Sequence, residues 1–176
     1  MGRAVHEIFE SNDVIVYGYL DDDEKTHGKE INEVTVLGST DDGGYLKFIG
    51  KKCEAFIAVD DNAVRKSLVD MLNRKRKVMP VNALHKRSYI ADSAHLGHGK
   101  FINMGARIGN QAKIGNHTII NTNAIVDYEA EIGDFVQIGA GSIVNSGVLV
   151  EDEVFIGSGV CLVSGVKIGK GARIGA

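Results

Sequence analysis

The sequence holds one proline, two cysteines and no apolar run near the roughly 18 residues of a membrane-spanning helix. Cys53 and Cys161 make no disulfide framework and have no metal-ligand spacing. The N-terminus MGRAVHEIFE lacks an apolar h-region, so no signal peptide is expected and a reducing cytoplasm is the expected compartment. The 176 residues carry a formal net charge of −3, without the basic excess of a nucleic-acid binder. With 44% hydrophobic and 24% charged residues, the chain is long and apolar enough to bury a core. Glycine is the abundant residue: 22 of 176, about 12% against a usual ~7%. Without proline such richness excludes collagen, and here the glycines sit on a period.

The period is six. Starting at Ile90, every sixth residue to Ile174 is Ile, Leu or Val, fifteen positions without an insertion. With about a quarter of residues of that type, chance alone gives this about once in a billion. The fifth hexad position is small or β-branched from Ala94 to Ala172, except Lys100. The second is often glycine, as at Gly97, Gly109, Gly115, Gly133, Gly139, Gly157, Gly169 and Gly175, residues that tolerate turn dihedrals. A helix of 3.6 residues per turn has no use for a period of six. Short strands and turns stacked in a solenoid do, with the aliphatic residue filling each corner.

Residues 1–88 read differently. Gly2–Ser11 is expected as a helix, and residues 14–20, VIVYGYL, as a strand ending in the acidic turn Asp21-Asp22-Asp23-Glu24. Val34–Gly38 and Cys53–Val59 are two further expected strands. Asp60-Asp61-Asn62 is placed to cap a helix from Ala63 to about Arg76, with Val64, Leu68, Met71 and Leu72 at helical spacing. The alternation predicts a small parallel α/β unit. The basic run Asn73–Lys77 is a solvated helix end favoured by the helix dipole. A nucleotide-binding unit of this type opens with a strand and a Gly-rich turn before its helix. This sequence starts within the helix and stops at Ala176 without a solenoid cap, so truncation at both ends is the expectation.

Four stretches carry a resemblance: GYLDDDE at 18–24, VTVLGS at 34–39, FIAVDDNAVRKSL at 56–68, and residues 119–169 from IINTNAIVDYEAEIGDF through SGVKIG. Together they resemble the hexapeptide-repeat sugar acyltransferases of the sialic-acid O-acetyltransferase and nucleotide-amino-sugar N-acetyltransferase group. That resemblance implies a Rossmann-like sugar-nucleotide domain over 1–88 and a left-handed parallel β-helix over 89–176, with triangular coils of three hexads. It implies a homotrimer, with acetyl-CoA or another acyl-CoA in the groove between neighbouring β-helices. It makes Asp21 and Asp22 candidate nucleotide contacts, and Asp61 and Asn62 weaker ones. Solvated loop acids and a helix cap are the alternative. Ser146, through its backbone N–H, Ser158, Gln137 and Ala176 fall at the acyl-CoA positions.

The family's general-base His falls on Tyr128, and the acid that orients it on Glu129. A second family His, near the thioester, is Gln137. A general base works best with a pKa near the operating pH. Imidazole meets that near 6.5; an ordinary phenol is ionised about one part in a thousand at pH 7. A sugar hydroxyl would be poorly activated, whereas a neutral amine is already nucleophilic. Its proton leaves only as the tetrahedral intermediate forms, to the departing thiolate, water or Glu129. The expectation is therefore acyl-CoA-dependent N-acylation of a nucleotide-linked amino sugar. The alternatives are O-acetylation or a catalytically inactive sugar-nucleotide-binding homologue. An 18-residue coil stacks Asn110, Tyr128, Ser146 and Ser164 along one edge, either as part of a site or as a solvated polar ladder.

No metal site is expected, since no imidazole lies five residues from His117. His117 is expected as a surface turn residue or in the inter-subunit groove, and Cys161 as ordinary packing. His6, His27 and His85 have no evident partner in the sequence.

Overall fold

The computed structural model describes residues 1–175, in two compact units, the first over 1–81 and the second from residue 82 onward. The boundary lies ahead of residue 88 because Leu84 continues the corner series one hexad upstream of Ile90 and is itself in a strand, Ala83–Leu84.

The second unit is a left-handed parallel β-helix. Two-residue strands recur every hexad and stack into three parallel sheets. One face carries Phe101, Ile119, Gln137 and Phe155 in register. A second carries Tyr89, Arg107, Ile125, Ile143 and Cys161. The third carries His95, Lys113, Glu131, Leu149 and Lys167. The corner aliphatics and fifth-position residues point inward. Ile102, Ile108, Ile120, Val126, Ile138, Val144, Val150 and Ile156 are fully buried and form one continuous core with the alanines and valines between them. Cys161 faces outward and is exposed, because the sixth hexad position lies on the outer side of each face.

The second-position glycines serve a purpose other than the expected turn dihedral. From Gly99 onward the left-handed residue of the turn is the fourth of the hexad, for example Gln111 (φ 58°), Asn123 (57°), Glu129 (57°) and Gly147 (65°). A second-position glycine instead lets the next coil approach. A Cβ on Gly139 would lie 2.5 Å from main-chain atoms of Gly157 and Ser158. His117, expected on the surface, is 3% exposed, and its ring lies 4.8 Å from that of Phe135 one coil later.

The first unit bears out the helix Gly2–Ser11 (α1) and the strand Val34–Gly38 (β3). Of residues 14–20, only Tyr19–Leu20 (β1) joins a ladder, parallel to β3. A hairpin strand, Glu30–Ile31 (β2), pairs antiparallel with β3, so the small sheet is mixed. A short helix, Gly43–Leu46 (α2), follows. Cys53–Val59 makes only an isolated bridge, Ile49↔Cys53, because an extended run becomes a strand only where a neighbour offers donors and acceptors. The helix Asn62–Arg76 (α3) is capped by Asp61, whose carboxylate accepts from the Val64 N–H at 2.9 Å. Arg65, buried, turns back from α3 to donate to the Val59 and Asp60 carbonyls at 2.8 and 3.0 Å. Tyr19 and His6 are hydrogen-bonded, and His6 Nε2 lies 3.0 Å from Glu10 Oε1, tying α1 to β1.

One interior position breaks the pattern. Lys100 is fully buried and its ammonium has no hydrogen-bond partner among the described residues. Burial pushes its pKa down to about 8, against a smaller opposing pull from Asp134. Between about pH 8 and 10.5 the unfolded chain binds more protons, so stability rises with pH there and the penalty stands in full below it. Lys100→Met is expected to stabilise the protein at pH 7 by about 1–3 kcal/mol, the gain shrinking towards pH 10.5. Thermal melts across that range check it. A second pair of melts compares Gly139→Ala with Gly169→Ala. The first meets backbone and is expected to cost about 1–3 kcal/mol, while the second meets nothing within 4 Å and costs little.

Candidate functional site

Tyr128 and Glu129 sit on the corner turn between the second and third faces of the β-helix. The coils on either side hold the turn's main chain. Glu129 N–H donates to the Asn110 carbonyl at 2.9 Å, and the Tyr128 carbonyl accepts from Gly147 N–H at 3.3 Å. Asp127, which the sequence reading passed over, accepts the Tyr128 N–H on its own carboxylate at 2.8 Å. It is an Asx-type contact one residue long, too local to stand out among solvated acids. Gly109 supports the turn from the coil before, since a Cβ there would lie 2.6 Å from Tyr128 N. The frame is fixed and the side chains face outward: Tyr128 is 52% exposed, and Glu129 is exposed.

Ser146 stacks one coil beyond Tyr128, and its hydroxyl lies 3.3 Å from that of Ser164. Its carbonyl accepts from Gly165 N–H, while its own N–H makes no hydrogen bond among the described residues. Tyr128, Glu129 and Ser146 therefore form one local group: a phenol, a carboxylate and a main-chain donor on a single edge.

Gln137 and Ser158 do not join them. Gln137 lies half-buried on the first face, between Ile119 and Phe155, across the prism from the Tyr128 corner. Ser158 is exposed on the corner between the first and second faces. Ala176 lies outside the described residues. Gln137 and Ser158 were expected with Ser146 around one acyl-CoA, but a triangular coil sets them apart on its perimeter.

In the first unit the four acid and amide candidates are exposed or half-buried, and each has a structural contact. Asp22 accepts from the Thr40 N–H and hydroxyl, both at 2.8 Å, joining the acidic turn to the loop after β3. Asp21 accepts the Asp23 N–H at 2.9 Å, and its carbonyl is 2.7 Å from His27 Nε2. Asp61 caps α3, and the Asn62 side-chain oxygen is hydrogen-bonded to Arg65. Among the described residues no group of three or more His, Cys, Asp or Glu is arranged to hold a metal ion. No described helix is long and apolar enough to cross a membrane.

Asp61 offers a direct test. If its carboxylate only caps α3, Asp61→Ala lowers stability by about 1 kcal/mol, read as a fall in melting temperature, and leaves nucleotide affinity unchanged. A loss of affinity at constant melting temperature would assign it to a ligand instead.

Comparison with known proteins follows the same two-part division. Residues 1–72 match the model of the PglD N-terminal domain family. No curated protein sequence matches the chain. Among solved structures, the acetyltransferase domain of PglB from Neisseria gonorrhoeae, in complex with acetyl coenzyme A, is similar at 20% identity and a TM-score of 0.79, covering 99% of this chain and 91% of that one. A His-to-Asn variant of perosamine N-acetyltransferase from Caulobacter crescentus, in complex with CoA and GDP-perosamine, is similar at 22% identity and a TM-score of 0.73, covering 99% and 89%. WeeI from Acinetobacter baumannii is 26% identical, with a TM-score of 0.78, covering 99% and 82%. The chain thus has the two-part fold of these acetyltransferase structures, a PglD-type N-terminal domain followed by a hexapeptide-repeat left-handed β-helix.

Proposed function

We propose that this chain is an acyl-CoA-dependent sugar acyltransferase that N-acylates a nucleotide-linked amino sugar. The observation that carries the reading is the edge formed by Tyr128, Glu129 and Ser146, on a fold whose neighbours hold acetyl-CoA and, in one case, GDP-perosamine. In the proposed reaction the neutral amine attacks the thioester carbonyl carbon and a C–N bond forms. The unpaired N–H of Ser146 is the donor for the developing oxyanion. Collapse breaks the C–S bond and releases CoA as thiolate, while the ammonium proton passes to Glu129 or to that thiolate. Tyr128 hydrogen-bonds the acceptor and lines the site. Catalysis then rests on positioning and a main-chain donor rather than on a strong base.

A homotrimer belongs to the same proposal. Gln137 and Ser158 lie away from the Tyr128 corner of their own chain, so acyl-CoA contacts at those positions need a neighbouring copy. The second face, with Ile125, Ile143 and exposed Tyr89, offers an apolar surface for that packing. The second reading, an inactive sugar-nucleotide-binding homologue, draws on Tyr128 and Gln137 standing at both family histidine positions. A cytoplasmic setting suits a protein that uses acyl-CoA and a nucleotide sugar.

Free-thiol release from acetyl-CoA with a panel of UDP- and GDP-linked sugars separates the readings. The native protein is expected to turn over amino but not hydroxyl acceptors, and Glu129→Gln to lower kcat by about tenfold to a hundredfold. Tyr128→His is expected to add hydroxyl acceptors to the range. Silence from the native protein with activity in Tyr128→His would favour the inactive homologue.

A further inference from the structure

The basic run at the end of α3 is not alone. A helix dipole favours cations within the last turn and accounts for none further off. Here a second segment adds its own. Residues 43–53 carry Lys47, Lys51 and Lys52 and no acid. Residues 71–79 carry Arg74, Lys75, Arg76 and Lys77 and no acid. The fold brings the two segments together. Leu46 and Ile49 share one buried cluster with Leu72. The Arg76 guanidinium donates to the Ile49 carbonyl at 2.8 and 3.0 Å and to the Lys47 carbonyl at 3.1 Å. A Cβ on Gly50 would lie 2.6 Å from Val78 Cγ1.

The outcome is one patch with six exposed cations, Lys47, Lys51, Lys52, Arg74, Lys75 and Lys77. None of them makes an ion pair among the described residues, although Glu54 and Asp70 border the two segments. On the β-helix, by contrast, Lys113 and Lys167 each meet a glutamate at 2.7 Å. Phe48 stands among these cations, 38% exposed, its ring centroid 5.1 Å from Lys47 Nζ and 5.7 Å from Lys52 Nζ. Met79, just after α3, is exposed as well. Asp60 and Asp61 lie at the other end of the 15-residue helix, about 22 Å away. Helix α3 therefore has an acidic end and a basic end, and the patch is separate from the Asp61 and Asn62 candidates.

We infer that this patch docks the first unit on an anionic lipid surface, with the cations on the headgroups and the Phe48 ring at the boundary between headgroups and acyl chains. Clustered Lys and Arg are drawn to such a surface, and an aromatic ring among them adds apolar contact. Nucleic acid fits less well. The chain's net charge is −3, and the cations are confined to one end of α3. A planar surface meets that basic end alone, whereas a polyanion longer than the patch runs on towards acids. The docking is peripheral, since no described helix is long and apolar enough to cross a membrane. It does not depend on the acyl-transfer reading.

The test is co-sedimentation of the intact protein with vesicles of phosphatidylcholine, alone or with about a third phosphatidylglycerol. The native protein is expected to pellet with the anionic vesicles only, and less as salt rises. Lys51→Gln and Lys52→Gln are each expected to weaken binding about fivefold. Lys29→Gln, which removes an exposed cation outside the patch, is expected to leave it unchanged. Thermal melts check that each variant is folded. The chain has no tryptophan, so Phe48→Trp supplies a single indole, whose emission is expected to shift to the blue on the anionic vesicles. The inference is overturned if phosphatidylglycerol adds nothing, if Lys29→Gln costs as much as the patch variants, or if the indole emission does not move. Binding of a DNA duplex through Lys51 and Lys52 without vesicle binding would also overturn it and give the patch to nucleic acid. Thiol release is read separately, so failure of either proposal leaves the other standing.

Discussion

Everything in the second unit depends on one coil lying directly on the next, about 4.8 Å away, for the length of the chain. Through the middle coils the first N–H of each strand donates to a carbonyl of the next coil, as Ile119 does to Val136 and Ile125 to Ser142. That spacing leaves no room for side chains where coils touch, so Gly109, Gly133 and Gly139 are bare at the points of contact. It also stacks like on like, filling each corner with a column of Ile and Val. The same stacking fixes the Tyr128 turn from below, through Gly109 and Asn110, and from above, through Gly147. A site edge made this way gets its rigidity from the scaffold, at no cost to the exposure of its side chains.

The chemistry follows from what the scaffold leaves unpaired. Turn N–H groups on the corners are not all used by the ladder, and the one at Ser146 stands beside the phenol and carboxylate of the preceding coil. A main-chain donor survives changes of side chain, so in the proposed reaction an edge that carries tyrosine would still offer an oxyanion-type contact. On that proposal, acceptors that need a strong base would be disfavoured and amines would not. The acids of the first unit are already engaged, with Asp22 on Thr40 and Asp61 on α3. Lys100 shows the opposite case, a charge the fold encloses without a partner at a measurable cost in stability.

Legibility in the sequence tracked how local the determinant was. The six-residue period, helix α1, strand β3 and the Asp61 cap depend on residues near one another in the chain, and all were readable. Cys53–Val59 was read as a strand, yet a strand needs a neighbour, and only an isolated bridge at Cys53 formed there. His117 looked like a surface turn residue because nothing nearby in sequence would cover it. Phe135, one coil on, contributes to that cover.

The sequence by itself determined the solenoid, because a strict aliphatic period of six admits neither helix nor long strand. It also determined that tyrosine and glutamine stand where imidazoles are expected. With the 18-residue coil that the resemblance implies, it already set Tyr128 and Ser146 on one edge; only the tertiary structure decided which turn residues are buried. An 18-residue coil carries neighbours in sequence to different faces and joins residues a full coil apart, so Tyr128 meets Ser146 and not Gln137. It likewise buried His117, because its cover comes from residues a full coil away, Phe135 among them.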